Sequence, residues 1–195
     1  MRRVDISLLY KKLTRVVAVA LLLISGCSSE PQSDAKDFTL QSINGPVSLS
    51  DFKGKAVLLF FGYTHCPDIC PATMNNVANA LRSLKEEAAQ VKVLFVTVDP
   101  ERDSAEHLAK YVAFFHPNIT GLTGSPEEIK RTAGGYDAEF FKQVTEGSKG
   151  YEMIHTSMLF LINSEGKILD IMSHHTEPDD IAIALRKWLN SASIK

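Results

Sequence analysis

The chain has 195 residues, 45% of them hydrophobic, and a formal net charge of −2 at pH 7. That length allows one domain with a full core, and the composition is not that of a disordered protein. No apolar run reaches the ~20 residues of a transmembrane helix, which excludes a multi-spanning membrane protein. Basic residues cluster only at the N-terminus, so we expect no nucleic-acid partner.

The first 26 residues have the pattern of a lipoprotein signal peptide. Five basic residues precede an apolar stretch over 16–24, and small residues then lead to Cys27, which are the parts of a secretory signal. The segment Ile24-Ser-Gly-Cys27 resembles a bacterial lipobox, in which the cysteine is acylated. We predict a signal peptide over 1–26, a linker over 27–36 and a domain over 37–195. Lipidated Cys27 would anchor the chain to a bacterial membrane on its extracytoplasmic, periplasmic side. An ordinary N-terminal anchor with an incidental cysteine is the alternative.

Hydrophobic patterning predicts alternating strands and helices over 37–195. The predicted strands cover 38–43, 47–50, 56–63, 91–98, 157–163 and 168–172. The predicted helices cover 71–87, 104–115, a stretch beginning at Ser125, and 177–190. We expect a short connection over 121–124. Buried strands alternating with helices indicate an α/β fold with a mixed central sheet, flanking helices and an N-terminal β-hairpin.

Cys66 and Cys70 lie where the first buried strand gives way to a helix. Ligands of open α/β sheets tend to bind at such carboxyl ends of strands. Cysteines four apart share one helical face, about 5–6 Å apart at Cβ, which lets both sulfurs bind one metal ion. A disulfide needs Cβ atoms about 3.5–4.5 Å apart, and loop geometry can supply the difference. The helix N-terminus favours the thiolate. The pair therefore indicates a soft-metal site, a redox site or both. Two buried cysteines that merely pack are the alternative.

His155 directly precedes the strand predicted over 157–163. If that strand neighbours the one over 56–63, His155 reaches the edge that carries the cysteines. Two thiolates and one imidazole suit copper, whereas structural zinc normally takes four ligands. A histidine satisfied within its loop is the alternative. His65 is expected to point to solvent, and the remaining histidines to lie on the surface.

Asp99 follows the second buried strand, in the segment Asp99-Pro-Glu-Arg-Asp103. Its carboxylate is therefore expected at the same sheet edge, where it could orient a metal ligand from the outer shell. The alternative is a loop that starts a helix and holds an Arg–Asp pair.

Four motifs in order resemble the Sco/SenC family over 37–189: FFGYTHCPDICP (60–71), TVDPERD (97–103), GLTGSPEEI (121–129) and HTSMLFLI (155–162). The resemblance implies a thioredoxin-like fold and a copper chaperone for cytochrome c oxidase assembly. It implies copper, Cu(I) or Cu(II), bound by Cys66, Cys70 and His155, with the cysteines cycling between dithiol and disulfide. Asp99 matches the outer-shell position. Many members carry aspartate just before the ligand histidine, where this chain has Ile154.

Three functions are compatible with these residues. A copper-binding assembly factor would deliver copper to the binuclear copper site of the oxidase, or reduce that site's cysteines. Its partners would be the copper-receiving oxidase subunit and a thioredoxin-like reductant. A membrane-tethered thiol–disulfide oxidoreductase would not require His155. A redox or copper sensor would need a signalling partner that the sequence does not name. Thioredoxin-like oxidoreductases space their cysteines by two residues, so the three residues here favour metal binding and the chaperone.

Overall fold

Nine strands and four α-helices make up the computed structural model, which describes residues 33–144 and 150–192. The strands are β1 (Thr39–Ser42), β2 (Gly45–Ser48), β3 (Ala56–Gly62), β4 (Val91–Thr97), β5 (Ile119–Leu122), β6 (Phe140–Val144), β7 (Tyr151–His155), β8 (Met158–Ile162) and β9 (Ile168–Ser173). The helices are α1 (Ile69–Leu84), α2 (Ala105–Ala113), α3 (Pro126–Gly134) and α4 (Pro178–Ala192).

A five-stranded mixed sheet in the order β5-β4-β3-β8-β9 forms the centre of the fold. β3 runs parallel to β4 and β4 parallel to β5, whereas β8 is antiparallel to both of its neighbours. Every residue of β3 is buried, which explains its unbroken apolar sequence, since a strand covered on both faces has no polar side. α1 packs against α4, and α2 packs against β5. The predicted mixed sheet with flanking helices is confirmed.

Two small hairpins accompany the central sheet. β1 and β2 pair antiparallel and form the predicted N-terminal hairpin. Gly45, the first residue of β2 after the turn, has φ +108°, a conformation that glycine adopts without steric cost. β6 and β7 pair antiparallel, with Phe140 opposite His155. The sequence predicted no strands here, because β6 is largely exposed and shows no clear burial pattern.

The connection predicted over 121–124 was wrong at its start, because Gly121 and Leu122 belong to β5. Gly121 is required for close packing between β5 and α2, not for a turn. A Cβ at this position would lie 2.6 Å from the Cβ of Leu108 on α2. The glycine therefore allows α2 to approach the edge strand.

Serine side chains begin two helices, as their sequences predicted. The Ser104 hydroxyl accepts the His107 N–H at the start of α2. Ser125 and Glu128 form a reciprocal capping box at the start of α3. Each cap satisfies N–H groups that have no partner within the helix.

The last residues of the predicted linker pair with the turn between β8 and β9. The Ala35 N–H donates to the Gly166 carbonyl at 2.8 Å, and the Ile168 N–H donates to the Ser33 carbonyl at 3.0 Å. Residues 33–36 are thus tied to the domain rather than extended from it. The predicted signal peptide and Cys27 lie outside the described residues. Among the described helices, none has the length and apolarity needed to span a bilayer.

Candidate metal centre

Three segments bring Cys66, Cys70 and His155 to one edge of the central sheet. Cys66 lies in the loop after β3, Cys70 in the first turn of α1, and His155 at the end of β7. β8 pairs antiparallel with β3, with Leu159 opposite Phe60. The chain entering β8 therefore arrives where β3 ends. This is the strand pairing on which the prediction for His155 depended.

The His155 imidazole faces the Cys70 sulfur. Its Nε2 lies 3.5 Å from the Cys70 Sγ, and its Nδ1 lies 3.1 Å from the Thr156 carbonyl oxygen. A carbonyl can only accept, so this contact places the ring proton on Nδ1 and leaves the Nε2 lone pair toward the sulfur. The rings of Phe60 and Tyr63 meet the imidazole edge-on, with centroids 6.3 and 5.7 Å away. The imidazole is thus already oriented to act as a metal ligand before any metal binds.

Cys66 precedes α1 instead of sharing a helical face with Cys70, so that part of the sequence prediction was wrong. The helix begins at Ile69, and Pro67 disfavours helical conformation for the residue before it. The Cys66 Sγ accepts the Cys70 N–H at 3.4 Å. Asp68, at the N-cap position, makes no side-chain capping bond. The sulfur of Cys66 therefore satisfies a helix-terminal N–H group that a capping oxygen usually takes.

The two cysteines, both free thiols, have opposite acidities. The hydrogen bond from the Cys70 thiol, the largest cause, lowers the pKa of Cys66 to about 3, against the opposing effect of burial. The bond to Cys66, followed by burial, raises the pKa of the Cys70 thiol. Cys66 is half-buried, whereas Cys70 is fully buried. At neutral pH the pair thus presents one accessible thiolate backed by one protonated thiol.

Asp103 holds the loop that leads to Cys66, a role that the sequence analysis missed. Its carboxylate is fully buried. It accepts bonds from the Thr64 N–H at 3.0 Å, the Thr64 hydroxyl at 2.5 Å and the Thr97 hydroxyl at 2.6 Å. The motif TVDPERD contained Asp103, but nothing in the motif distinguished it from Asp99 before the fold was known.

Asp99 is buried in an ion pair with Arg102, and it also accepts the Tyr151 hydroxyl at 2.7 Å. The guanidinium lies 3.9 Å from the centroid of the Tyr151 ring and donates to the Tyr151 carbonyl. It also lies 5.9 Å from the centroid of the Tyr63 ring. The Arg–Asp pair considered as the alternative is present. Asp99 thus contacts Tyr151 on β7, the strand that ends in His155. Its partner Arg102 contacts Tyr63, whose ring meets the His155 imidazole. The outer-shell role of Asp99 stays a prediction.

Comparison with known proteins now identifies the family. The SCO1/SenC family model matches residues 27–190. The chain belongs to the SCO1/SenC family.

Relatives known by sequence and relatives of known structure both support this assignment. The chain is 36% identical over 156 residues to the mitochondrial SCO2 homolog of Bos taurus, which covers 78% of this chain but 59% of the relative's length. It is 34% identical to copper-bound Arabidopsis thaliana ScoI, with a TM-score of 0.75 over 82% of this chain and 99% of that one. BsSco, described as a cytochrome c oxidase assembly protein with a disulfide switch, is 28% identical, with a TM-score of 0.65 over 85% and 96% of the two chains. These neighbours confirm the predicted thioredoxin-like fold.

In this SCO1/SenC member the other histidines make contacts with groups other than the cysteines. His65 is exposed and stacks on His107, with ring centroids 5.9 Å apart. His174 and His175 stack on each other after β9, with centroids 3.9 Å apart. His155 is thus the histidine that the fold turns toward the cysteine pair.

Proposed function

We propose that this SCO1/SenC protein is an extracytoplasmic copper chaperone. It would deliver copper to the binuclear copper site of cytochrome c oxidase or reduce that site's cysteines. The observation that carries the proposal is the 3.5 Å approach of the His155 Nε2 to the Cys70 sulfur, with Cys66 bonded to the Cys70 backbone. The copper-bound ScoI structure and the assembly role named for BsSco support it.

The donor atoms fit copper in chemistry and in spacing. Two thiolates and an imidazole are ligands that copper accepts readily. Metal bonds of about 2.3 Å to sulfur and about 2.0 Å to nitrogen, at a tetrahedral angle, separate the two donors by roughly 3.5 Å. The Cys70–His155 distance already has this value. Copper binding would therefore replace the Cys70 proton without a large movement of the site.

The exposure of the site suits transfer of copper to a partner protein. Cys66 is half-buried and lies in a loop, whereas Cys70 is buried within α1. An incoming thiolate from a partner can reach a metal on the Cys66 side. Ligand exchange would then begin at Cys66, while Cys70 and His155 retain the ion until the acceptor has bound it.

The opposite acidities of the cysteines favour a second candidate, a thiol–disulfide reductase. The Cys66 thiolate would attack a target disulfide and release one target thiolate. Cys70, losing its proton to the nearby His155 Nε2, would then attack the Cys66 sulfur of the mixed disulfide. The target disulfide is reduced to two thiols, and the dithiol of this chain is oxidised to a disulfide.

Binding of Cu(I) to reduced full-length chain carrying Cys27→Ser tests the chaperone. We expect one copper per chain, with thiolate-to-copper absorption. Loss of even an outer-shell partner costs about 10–100-fold in metal affinity, so His155→Ala should weaken binding at least about tenfold. His175→Ala, which removes an exposed imidazole, is the matched control and should bind as the parent does. If His155→Ala binds copper equally well while Cys66 still attacks a peptide disulfide, the reductase is the better assignment.

The location is a separate part of the proposal and depends on Cys27. We expect mass spectrometry of the native protein to find an acylated N-terminal cysteine at this position. Cys27→Ala should leave the protein unacylated and release it from the membrane fraction. An N-terminus at Met1 that still carries residues 1–26 would contradict the lipid anchor.

A further inference from the structure

A second group of side chains that could bind a metal lies next to the loop that carries Cys66. One ligand atom from each of His65, Asp103 and His107 lies within 4.8 Å of the other two. The Nδ1 of His65 is 3.8 Å from the Asp103 Oδ1. The two imidazole rings are nearly parallel, at 15°. None of the three residues is a donor of the Cys66–Cys70–His155 centre.

Asp103 is the fixed member of this group. It is fully buried, and the bonds from Thr64 and Thr97 hold its carboxylate in place. Two of these bonds fall on Oδ2 and one on Oδ1. An ionised carboxylate oxygen has two lone pairs, so Oδ1, the oxygen nearer His65, keeps one for a further bond. Fixing a ligating carboxylate by hydrogen bonds is how proteins tune a metal site from outside.

The two histidines are the adjustable members. Both are exposed, with His65 on the loop after β3 and His107 in the first turn of α2. An ion with bonds of about 2.0–2.2 Å to nitrogen and oxygen holds neighbouring donors roughly 3–3.5 Å apart. Rotation of two exposed rings toward one fixed carboxylate closes the remaining gap. The exposed rings also leave positions open for water.

We propose that His65, Asp103 and His107 form a second metal site that takes Cu(II). Its donors are two imidazole nitrogens and one carboxylate oxygen, with no sulfur. Such a set binds divalent first-row ions in an order that places Cu(II) highest, whereas thiolates select Cu(I). The loop from Tyr63 to Cys66 thus carries ligands of two sites with different preferences for the oxidation state of copper.

Copper(II) titration of a thiol-free full-length chain tests this site. Cys27→Ser, Cys66→Ser and Cys70→Ser together remove every cysteine, so the result does not depend on the proposed function. We expect one Cu(II) per chain, with nitrogen hyperfine splitting in its electron paramagnetic resonance spectrum and without thiolate-to-copper absorption. Adding His107→Ala should weaken binding at least about tenfold.

A matched control is available in the second stacked histidine pair. His174→Ala combined with His175→Ala removes two stacked imidazoles and should leave Cu(II) binding unchanged. Because Cys70→Ser alters a buried position, the comparison is repeated in the wild-type background after oxidation of the cysteines, with only His107→Ala added. The proposal is overturned if the thiol-free chain binds no stoichiometric Cu(II), if His107→Ala binds it equally well, or if loss of His174 and His175 abolishes binding.

Discussion

The His155 Nε2 and the Cys70 Sγ lie 3.5 Å apart although the two residues are 85 positions apart in the chain. Two structural features produce this contact. β8 runs antiparallel to β3, so the chain before β8 comes beside the end of β3. The bond between the His155 Nδ1 and the Thr156 carbonyl then turns Nε2 toward the sulfur. The contact unites a histidine and a cysteine that lie too far apart in sequence to form a local motif.

Alkylation of Cys66 should be nearly independent of pH. With a pKa of about 3, Cys66 is a thiolate throughout the range from about pH 5 to 8, and the thiolate is lost only below that pKa. An ordinary cysteine, with a pKa of about 8.5, would react about tenfold faster with each added pH unit in this range. We expect iodoacetamide to modify Cys66 of the metal-free Cys27→Ser chain at a rate that does not change between about pH 5 and 8. Cys70 should not be modified.

Cys70→Ala is the informative comparison for that experiment. It removes the thiol that donates to Cys66, which is the largest cause of the lowered pKa. The Cys66 pKa should therefore rise, and alkylation should become faster with increasing pH. A rate that already rises with pH in the parent chain would contradict the acidity assigned to Cys66.

Local sequence patterns predicted the longer strands and helices and the cysteine pair. The features that the sequence analysis missed depend on contacts between segments far apart in the chain. β3 is an unbroken apolar run because both of its faces are covered. β5 has only four residues, and its Gly121 suggested a connection because its packing partner, Leu108, is known only from the fold. Asp103 was missed for the same reason, since Thr64 lies 39 residues before it. His155 was predicted because a single expected strand pairing placed it at this edge and the resemblance to the Sco/SenC family made it a ligand.

Asp99→Asn tests whether the buried ion pair acts on the metal centre. The substitution removes the charge that pairs with Arg102 and weakens the link to Tyr151 on β7. Because the contacts of Asp99 lead to His155 only through β7 and Tyr63, we expect copper affinity to fall by about tenfold, the lower end of outer-shell effects. Competition with a Cu(I) chelator measures this. Glu101→Gln, which alters an exposed ion pair with Lys142, should leave the affinity unchanged. A lower free energy of unfolding with unchanged copper affinity would make Asp99 purely structural.

Gly121→Ala should destabilise the protein without touching the metal centre. The added Cβ would meet the Leu108 Cβ at 2.6 Å, and such overpacking costs about 1–3 kcal/mol. Urea unfolding should show this as a lower midpoint with an unchanged slope. Gly134→Ala is the matched control, because a Cβ there has no neighbour within 4 Å. Equal effects of the two substitutions would contradict the close approach of α2 to β5.

Ile154→Asp should change copper affinity by less than about fivefold, because an interaction between exposed charges contributes about 0–1 kcal/mol. Ile154 is 41% exposed, and neighbouring strand residues project to opposite faces, so its side chain points away from that of His155. The Thr156 carbonyl already orients the imidazole, and an exposed carboxylate would be screened by salt. Chelator competition at low and high salt measures the affinity, with Ile154→Asn as a control of equal shape and no charge. A gain of tenfold or more with aspartate alone would show that a carboxylate at this position reaches the metal centre.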